Sequence, residues 1–139
     1  MISSQELDKI SRERIKDARV LFKNKSYDGS LYMCGYAIEL ALKAIICKNL
    51  CLSGIPHTSE EFSNIARIKT HNLEELLKQT PTQISTKIKS VYFADWSIIL
   101  QWNPEMRYAP IKGKQLKNQA NGAINSAQHI VKYLWKEIK

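Results

Sequence analysis

The hydrophobic residues recur every three to four positions along most of the chain, which is helical spacing, and no segment shows sustained strand alternation. The first predicted helix runs from about Ser4 to Lys23, and Ser3 and Glu6 before and within it have the spacing of a capping box. A second helix covers roughly Tyr27 to Cys51. The short turn at residues 24–26 predicts that the two helices form an antiparallel hairpin. The apolar face of the first helix comprises Leu7, Ile10, Ile15, Ala18 and Phe22.

Further helices are predicted after a long connection over residues 52–71. Thr70 or Asn72 caps a short helix from Leu73 to Gln79, which Pro81 closes. A fourth helix, Gln83 to about Trp102, has an apolar stripe of Ile84, Ile88, Val91, Ile98 and Trp102. A fifth, from about Lys114 to the end of the chain, has a core face of Leu116, Ala120, Ala123, Ala127, Ile130 and Leu134. The pattern predicts an all-α antiparallel bundle of about five helices, in a single domain over residues 1–139.

The charge of the chain favours a polyanionic partner. Its 139 residues carry a formal net charge of +8, and the sequence pI is about 9.4. The excess is spread along the chain, so it is also compatible with simple solubility. The densest basic cluster without an acid comprises Arg107, Lys112, Lys114 and Lys117.

The three cysteines, Cys34, Cys47 and Cys51, lie within or at the end of the second predicted helix. Their odd number predicts reduced thiols and a cytoplasmic protein. A zinc site formed by Cys47, Cys51 and His57 would lack a fourth ligand and the usual paired-cysteine spacing. We therefore expect buried structural cysteines, no metal and no cofactor.

The second predicted helix is the most apolar segment of the chain. Glu39 and Lys43 interrupt its apolar stretch from Leu31 to Cys47, so we expect a core helix rather than a membrane span. The short and polar start of the chain, Met1 to Leu7, does not have the pattern of a signal peptide.

Two charges on a buried helix need an explanation. At about 100° per residue, Tyr32, Tyr36, Glu39 and Lys43 project within a narrow arc. In one interpretation, Glu39 and Lys43 form an ion pair at an exposed edge of the helix, worth about 0.3–0.5 kcal/mol. In the other, all four residues line a groove or a subunit interface in which the tyrosines supply contact area and the charges set the orientation of the partner. The two interpretations have equal support from the sequence.

Two more polar residues lie at conspicuous places. Asp95 interrupts the apolar stripe of the fourth predicted helix and would need a cation such as Arg107 or Lys43 if it were buried. A structural salt bridge is favoured there over catalysis. His71 stands at the start of the short third helix. It either caps or packs, or it exchanges protons near the long connection.

Three segments together resemble a known family. They are D-A-R-V-L-F-K-N-K-S-Y-D-G-S-L-Y-M-C-G-Y-A-I-E-L-A-L-K-A, T-H-N-L-E-E-L-L and W-N-P-E-M-R-Y, which extend from Asp17 to Tyr108. In this combination the chain resembles the HEPN superfamily (higher eukaryote and prokaryote nucleotide-binding domains).

The resemblance implies a bundle of about five helices that dimerises and binds or acts on RNA or nucleotides. Many members are metal-independent ribonucleases of toxin–antitoxin, abortive-infection and CRISPR systems. These carry an Arg followed by a His after four to six residues, near the start of the last long helix. In this chain no histidine follows Arg107 at that distance, and Arg67 and His71 are three residues apart before the short helix.

For a member without that motif, the resemblance suggests a buried network that ties the helices together. With Asp95 added from the residue pattern, the predicted network is Glu39, Lys43, His71, Asp95 and Arg107. The predicted ligand-binding residues are Tyr32, Tyr36, Glu39, Lys43, Arg107, Tyr108, Lys112 and Lys114.

The leading hypothesis is a homodimeric module that binds nucleotide or RNA, with a tyrosine stacked on a base. The second is a metal-independent ribonuclease of toxin type that uses His71 with Arg107 or Arg67. The third is a non-catalytic accessory subunit of a nucleotidyltransferase-like protein.

Overall fold

The computed structural model describes residues 2–51, 69–101 and 114–139. Within these ranges the chain forms six α-helices and no β-strand, which confirms the all-α prediction. The assignment of residues 1–139 to one domain stays a prediction. The helices are α1 (Ser4–Lys23), α2 (Tyr27–Asn49), α3 (Leu73–Lys78), α4 (Thr82–Ser90), α5 (Phe93–Ile99) and α6 (Lys114–Ile138).

Helices α1 and α2 form the predicted antiparallel hairpin. Two buried hydroxyls fix its register: Ser11 Oγ donates to the Ala37 carbonyl at 2.7 Å, and Ser30 Oγ donates to the Ala18 carbonyl at 2.8 Å. The capping box at the start of α1 is present, because Ser3 Oγ accepts from the Glu6 N–H at 3.1 Å and the Glu6 carboxylate accepts from the Ser3 N–H at 2.8 Å.

The turn between α1 and α2 has the hydrogen bonds of a Schellman motif. The Ser26 N–H donates to the Leu21 carbonyl at 2.8 Å, and the Lys25 N–H donates to the Phe22 carbonyl at 3.0 Å. Lys25 has φ of 63°, in the left-handed region that glycine usually occupies in this motif. The backbone of this turn is therefore strained at one lysine.

Helix α2 is the central element of the bundle. Fifteen of its 23 residues are buried, and it packs against α1, α6 and α3. By length and mean hydropathy (1.4) it is the one described helix that could span a membrane, but 83% of that stretch is buried inside the bundle. A helix that is apolar around most of its circumference needs this cover.

The predicted fourth helix is wrong in one respect. It consists of α4 and α5, because the backbone leaves helical geometry at Tyr92 (φ −104°, ψ 21°). The interruption changes the angular phase, so that Ile84, Ile88, Trp96 and Ile99 are buried, whereas Val91 and Ile98 are exposed. A stripe drawn through one continuous helix therefore assigned Val91 and Ile98 to the core incorrectly.

The last helix agrees with the sequence. Its predicted core face is buried at Ala120, Ala123, Ala127, Ile130 and Leu134, and Leu116 is partly buried. The helix packs along both α2 and α1. Its contact with α1 leaves a groove between the two helices.

Candidate functional site

A buried carboxylate lies at the centre of the predicted network. Glu39 on α2 is 2% exposed, and its Oε2 is 3.1 Å from Lys43 Nζ one helical turn later. Both Glu39 oxygens are 3.1 Å from Nδ1 of His71. We call these three residues the Glu39 cluster. It connects the middle of the central helix to the segment that enters α3.

Local hydrogen bonds place His71 beside this carboxylate. Thr70 Oγ1 accepts from the Asn72 N–H at 3.0 Å, and Asn72 Oδ1 caps α3 by accepting from the Glu75 N–H at 3.1 Å. The His71 side chain itself is 67% exposed. A carboxylate at Nδ1 orients an imidazole and directs its Nε2 away, the arrangement of carboxylate–histidine pairs in acid–base catalysis.

Two tyrosines adjoin the Glu39 cluster. The rings of Tyr32 and Tyr36 are stacked, with centroids 6.3 Å apart and an interplanar angle of 20°. Burial raises the pKa of Tyr36, and the nearby Glu39 carboxylate raises it further. The Arg14 cation acts on Tyr36 in the opposite direction. The Lys43 ammonium at this face is already paired with Glu39.

Asp95 lies outside the Glu39 cluster in the described residues. It is half-buried, and both its oxygens are 3.3 Å from Nδ1 of His129 on α6. Its partner among the described residues is therefore His129 and not Lys43. The predicted site residues Arg107, Tyr108 and Lys112 lie outside the described residues, as do Arg67 and His57. Lys114 is the first residue of α6.

A basic groove runs between α1 and α6. Two adjacent cavities, of about 320 and 460 Å³, share Lys16 and Arg19 as lining residues. Among the described residues, no acidic side chain lines either cavity. The basic groove is defined by Arg12, Lys16, Arg19 and Lys23 of α1 and by Gln128, Lys132 and Trp135 of α6.

The groove was not predicted, although the spacing of basic residues along α1 indicates one of its walls. Positions 12, 16, 19 and 23 are separated by four, three and four residues, so their basic side chains share one helix face. The sequence does not show that this face adjoins α6, because only the packing of the bundle brings Lys132 and Trp135 to it.

One end of the groove is held rigid by hydrogen bonds. Trp135 Nε1 donates to Ser11 Oγ at 2.9 Å, and the Arg12 guanidinium lies over the indole at 4.4 Å from the ring centroid. With its side-chain oxygen turned toward Arg19, Gln128 accepts from Nη2 and Nε of that residue at 2.5 and 2.6 Å. The planar groups are thus pre-positioned.

The cysteines offer no reactive thiol in the core. Cys34 and Cys47 are buried, and burial raises the pKa of Cys34 to about 12 and that of Cys47 above its usual value. Cys51 is exposed at the end of α2. Within the described ranges, no group of three His, Cys, Asp or Glu side chains could hold a metal ion.

Comparison with protein families gives one match. The model described as HEPN domain matches residues 4–60, which include α1, α2 and the Glu39–Lys43 pair. No curated protein matches the chain, and no solved structure does.

Proposed function

We propose that this chain, whose residues 4–60 match the HEPN domain model, is a module that binds nucleotide or RNA through the basic groove. The HEPN match is consistent with a nucleotide- or RNA-related function. The observation that carries the proposal is the groove between α1 and α6, where cations from two helices line a concave surface without an acid among the described lining residues.

Two exposed lysines of the groove are its most direct support. Lys16 and Lys132 are exposed and make no ion pair within the part of the chain that the structure describes. A concave surface with fixed positive charge concentrates field lines and attracts phosphates. By contrast, Lys43 is buried and its ammonium is paired with Glu39.

In this proposal the Glu39 cluster has a structural role and the basic groove has the binding role. The Glu39 cluster would anchor α3 to the bundle, and the groove on α1 and α6 would contact phosphates. Six other residues stay predicted ligand contacts: Tyr32, Tyr36, Arg107, Tyr108, Lys112 and Lys114.

Salt dependence of binding tests the groove. We expect the wild-type protein to bind a fluorescein-labelled ten-nucleotide single-stranded RNA with affinity that falls as KCl rises. Each phosphate contact with a single strand contributes about 0.7 to the steepness with which log K falls against log salt. The double variant Lys16→Gln with Lys132→Gln should therefore make this dependence shallower by about 1.4.

The matched control removes two charges elsewhere. Lys48→Gln with Lys78→Gln changes exposed lysines outside the groove and leaves the net charge of the two double variants equal. If the control pair lowers the slope as much as the groove pair, binding follows net charge and the groove proposal fails. Absence of salt-dependent binding to RNA and to ADP would refute the binding function itself.

A second candidate function is favoured by the geometry at His71. A metal-independent ribonuclease needs a side chain that moves a proton from a 2′-hydroxyl, and Glu39 orients the exposed His71 ring for such a step. Under this hypothesis His71 is the general base or acid, and an arginine such as Arg107 stabilises the charge on the phosphate.

Product analysis in EDTA tests the ribonuclease. Single-stranded RNA should yield 2′,3′-cyclic-phosphate ends, and His71→Ala should abolish them. His129→Ala is the matched control, because Asp95 holds His129 by the same nitrogen at a similar distance. Cleavage that survives His71→Ala would remove His71 from the mechanism.

Four statements from the sequence stay predictions. They are that the protein forms a homodimer, that as an accessory subunit it pairs with a nucleotidyltransferase-like protein, that it belongs to a toxin–antitoxin or phage-defence system, and that it is cytoplasmic.

A further inference from the structure

The geometry of the basic groove points to a narrower ligand class than nucleotide or RNA in general. We propose that it takes an unpaired stretch of nucleic-acid strand, with one base stacked on the Arg12–Trp135 pair and successive phosphates along α1. The inference rests on the proposed function and adds what the groove selects: a single strand over a duplex and over a mononucleotide.

The length of the groove argues against a mononucleotide. From position 12 to position 23, its basic face on α1 extends about 16 Å at about 1.5 Å per residue. At the axial rise of about 3.4 Å per phosphate in a stacked strand, this covers about five phosphates. The two cavities share Lys16 and Arg19, so the row of basic side chains on α1 borders both of them, and Val20, Phe22 and Ile124 give the larger cavity a mainly apolar lining. A mononucleotide would contact only one end of this row.

The Arg12–Trp135 pair argues for an exposed base. The indole is positioned by Ser11, which is fully buried and also donates to the Ala37 carbonyl, so the platform is tied to the α1–α2 register. Arg12 is in turn held by Asp8, with Nε 3.1 Å from Oδ1. Flat, fixed groups of this kind stack on bases irrespective of sequence, and the bases must be free of a complementary strand.

The phosphate contacts come from the remaining cations. Lys16 and Lys132 lie on opposite walls of the smaller cavity, and Arg19 and Lys23 continue along α1. Arg19 is oriented by Gln128, so its guanidinium is held toward α6. A duplex has the higher charge density and would bind more tightly to a merely basic surface. Preference for the single strand is therefore a signature of stacking.

Fluorescence anisotropy at one salt concentration measures this preference. The probes are a labelled ten-nucleotide single-stranded RNA, the ten-base-pair RNA duplex of the same sequence, and unlabelled ADP as competitor. We expect the single strand to bind at least about fivefold more tightly than the duplex, the least that one stacked base contributes. ADP should compete only at far higher concentration than the unlabelled RNA strand.

Two variants separate stacking from charge. Trp135→Leu removes the platform and should lose about fivefold or more in single-strand affinity. Since Trp135 also packs on the core, Arg12→Lys serves as the second variant: it keeps the charge, so the salt slope should stay constant while the single-strand preference falls. A preference that persists in both variants overturns the stacking platform.

The failure of this inference differs from failure of the proposed function. Salt-dependent binding that is equal for single strand and duplex, or that ADP competes as well as RNA does, refutes the inference and leaves a basic nucleic-acid surface. No salt-dependent binding to any of the three probes refutes both.

Discussion

Replacing Lys43 by methionine removes the ammonium group that faces the buried Glu39 carboxylate. The two side chains are 10% and 3% exposed, and their charged atoms are 3.1 Å apart. Removing one partner of a buried pair costs about 3–5 kcal/mol, because the other charge stays buried without compensation. His71 still contacts Glu39 in the variant, so we expect the lower end, about 3 kcal/mol.

Urea unfolding followed by circular dichroism at pH 7 measures this change in free energy, and thermal unfolding of the same samples measures the shift in Tm. The entropy of unfolding is about 2.1 cal/mol/K per residue, so a loss of 3 kcal/mol lowers Tm by about 10 °C for a chain of 139 residues. Lys78→Met is the control, since Lys78 pairs with Glu75 at the surface and should cost at most about 0.5 kcal/mol.

The double variant decides whether charge burial is the cause. Glu39→Gln with Lys43→Met replaces the pair by neutral side chains of similar volume and should regain stability to within about 1 kcal/mol of the wild type. If Lys43→Met alone is as stable as the Lys78→Met control, or the double variant is less stable than Lys43→Met, the reasoning from buried charge is refuted.

Three more predictions concern stability. Lys25→Gly should raise the free energy of unfolding by about 0.5–1 kcal/mol, since glycine adopts a φ of 63° without strain, and the urea midpoint reports it. Ser11→Ala should cost about 1–3 kcal/mol by the same assay, because Trp135 and the Ala37 carbonyl lose a buried partner. Burial raises the pKa of Glu74, but hydrogen bonds from Trp96 and Lys89 outweigh it and hold that pKa below its usual 4.5. Glu74 therefore stabilises the fold above that pH and less as pH falls, and Glu74→Gln should flatten the loss of urea midpoint between pH 5 and pH 3.

Each of these has an outcome that contradicts it. A lower midpoint for Lys25→Gly would mean that the turn is not strained. An unchanged midpoint for Ser11→Ala would show that water replaces the hydroxyl. For Glu74→Gln, an acid profile parallel to that of the wild type would mean that its carboxylate does not drive the transition. Glu75→Gln is the matched control, on the exposed face of the same helix.

Local rules predicted the parts of the fold that depend on neighbours in the sequence. The capping box at Ser3 and Glu6 and the cap at Asn72 are in place, because each needs only residues three positions apart. The break at Tyr92 was not predictable in this way. No glycine or proline marks it, and it places Trp96 where its Nε1 donates to Glu74 on α3 at 2.7 Å, a tertiary contact.

The candidate site likewise has features that depend on one helix and features that depend on the packing of two. Glu39 and Lys43 are one turn apart on a single helix, so their pairing was readable from spacing. The basic face of α1 was readable too, but its function as one wall of a groove depends on α6, more than a hundred positions later. Electrostatic patterns along one helix are local, whereas a concave surface is made by two.

The position of α2 also has a consequence during synthesis. Its apolar circumference is covered by α1, which precedes it, and by α6, which begins at residue 114. A ribosome therefore exposes the finished α1–α2 hairpin with its α6-facing side bare for the time needed to translate the intervening residues. Hydrophobic surface exposed in this way recruits chaperones or aggregates. We expect expression yield to depend on holdase capacity, and truncation before α6 to yield insoluble protein.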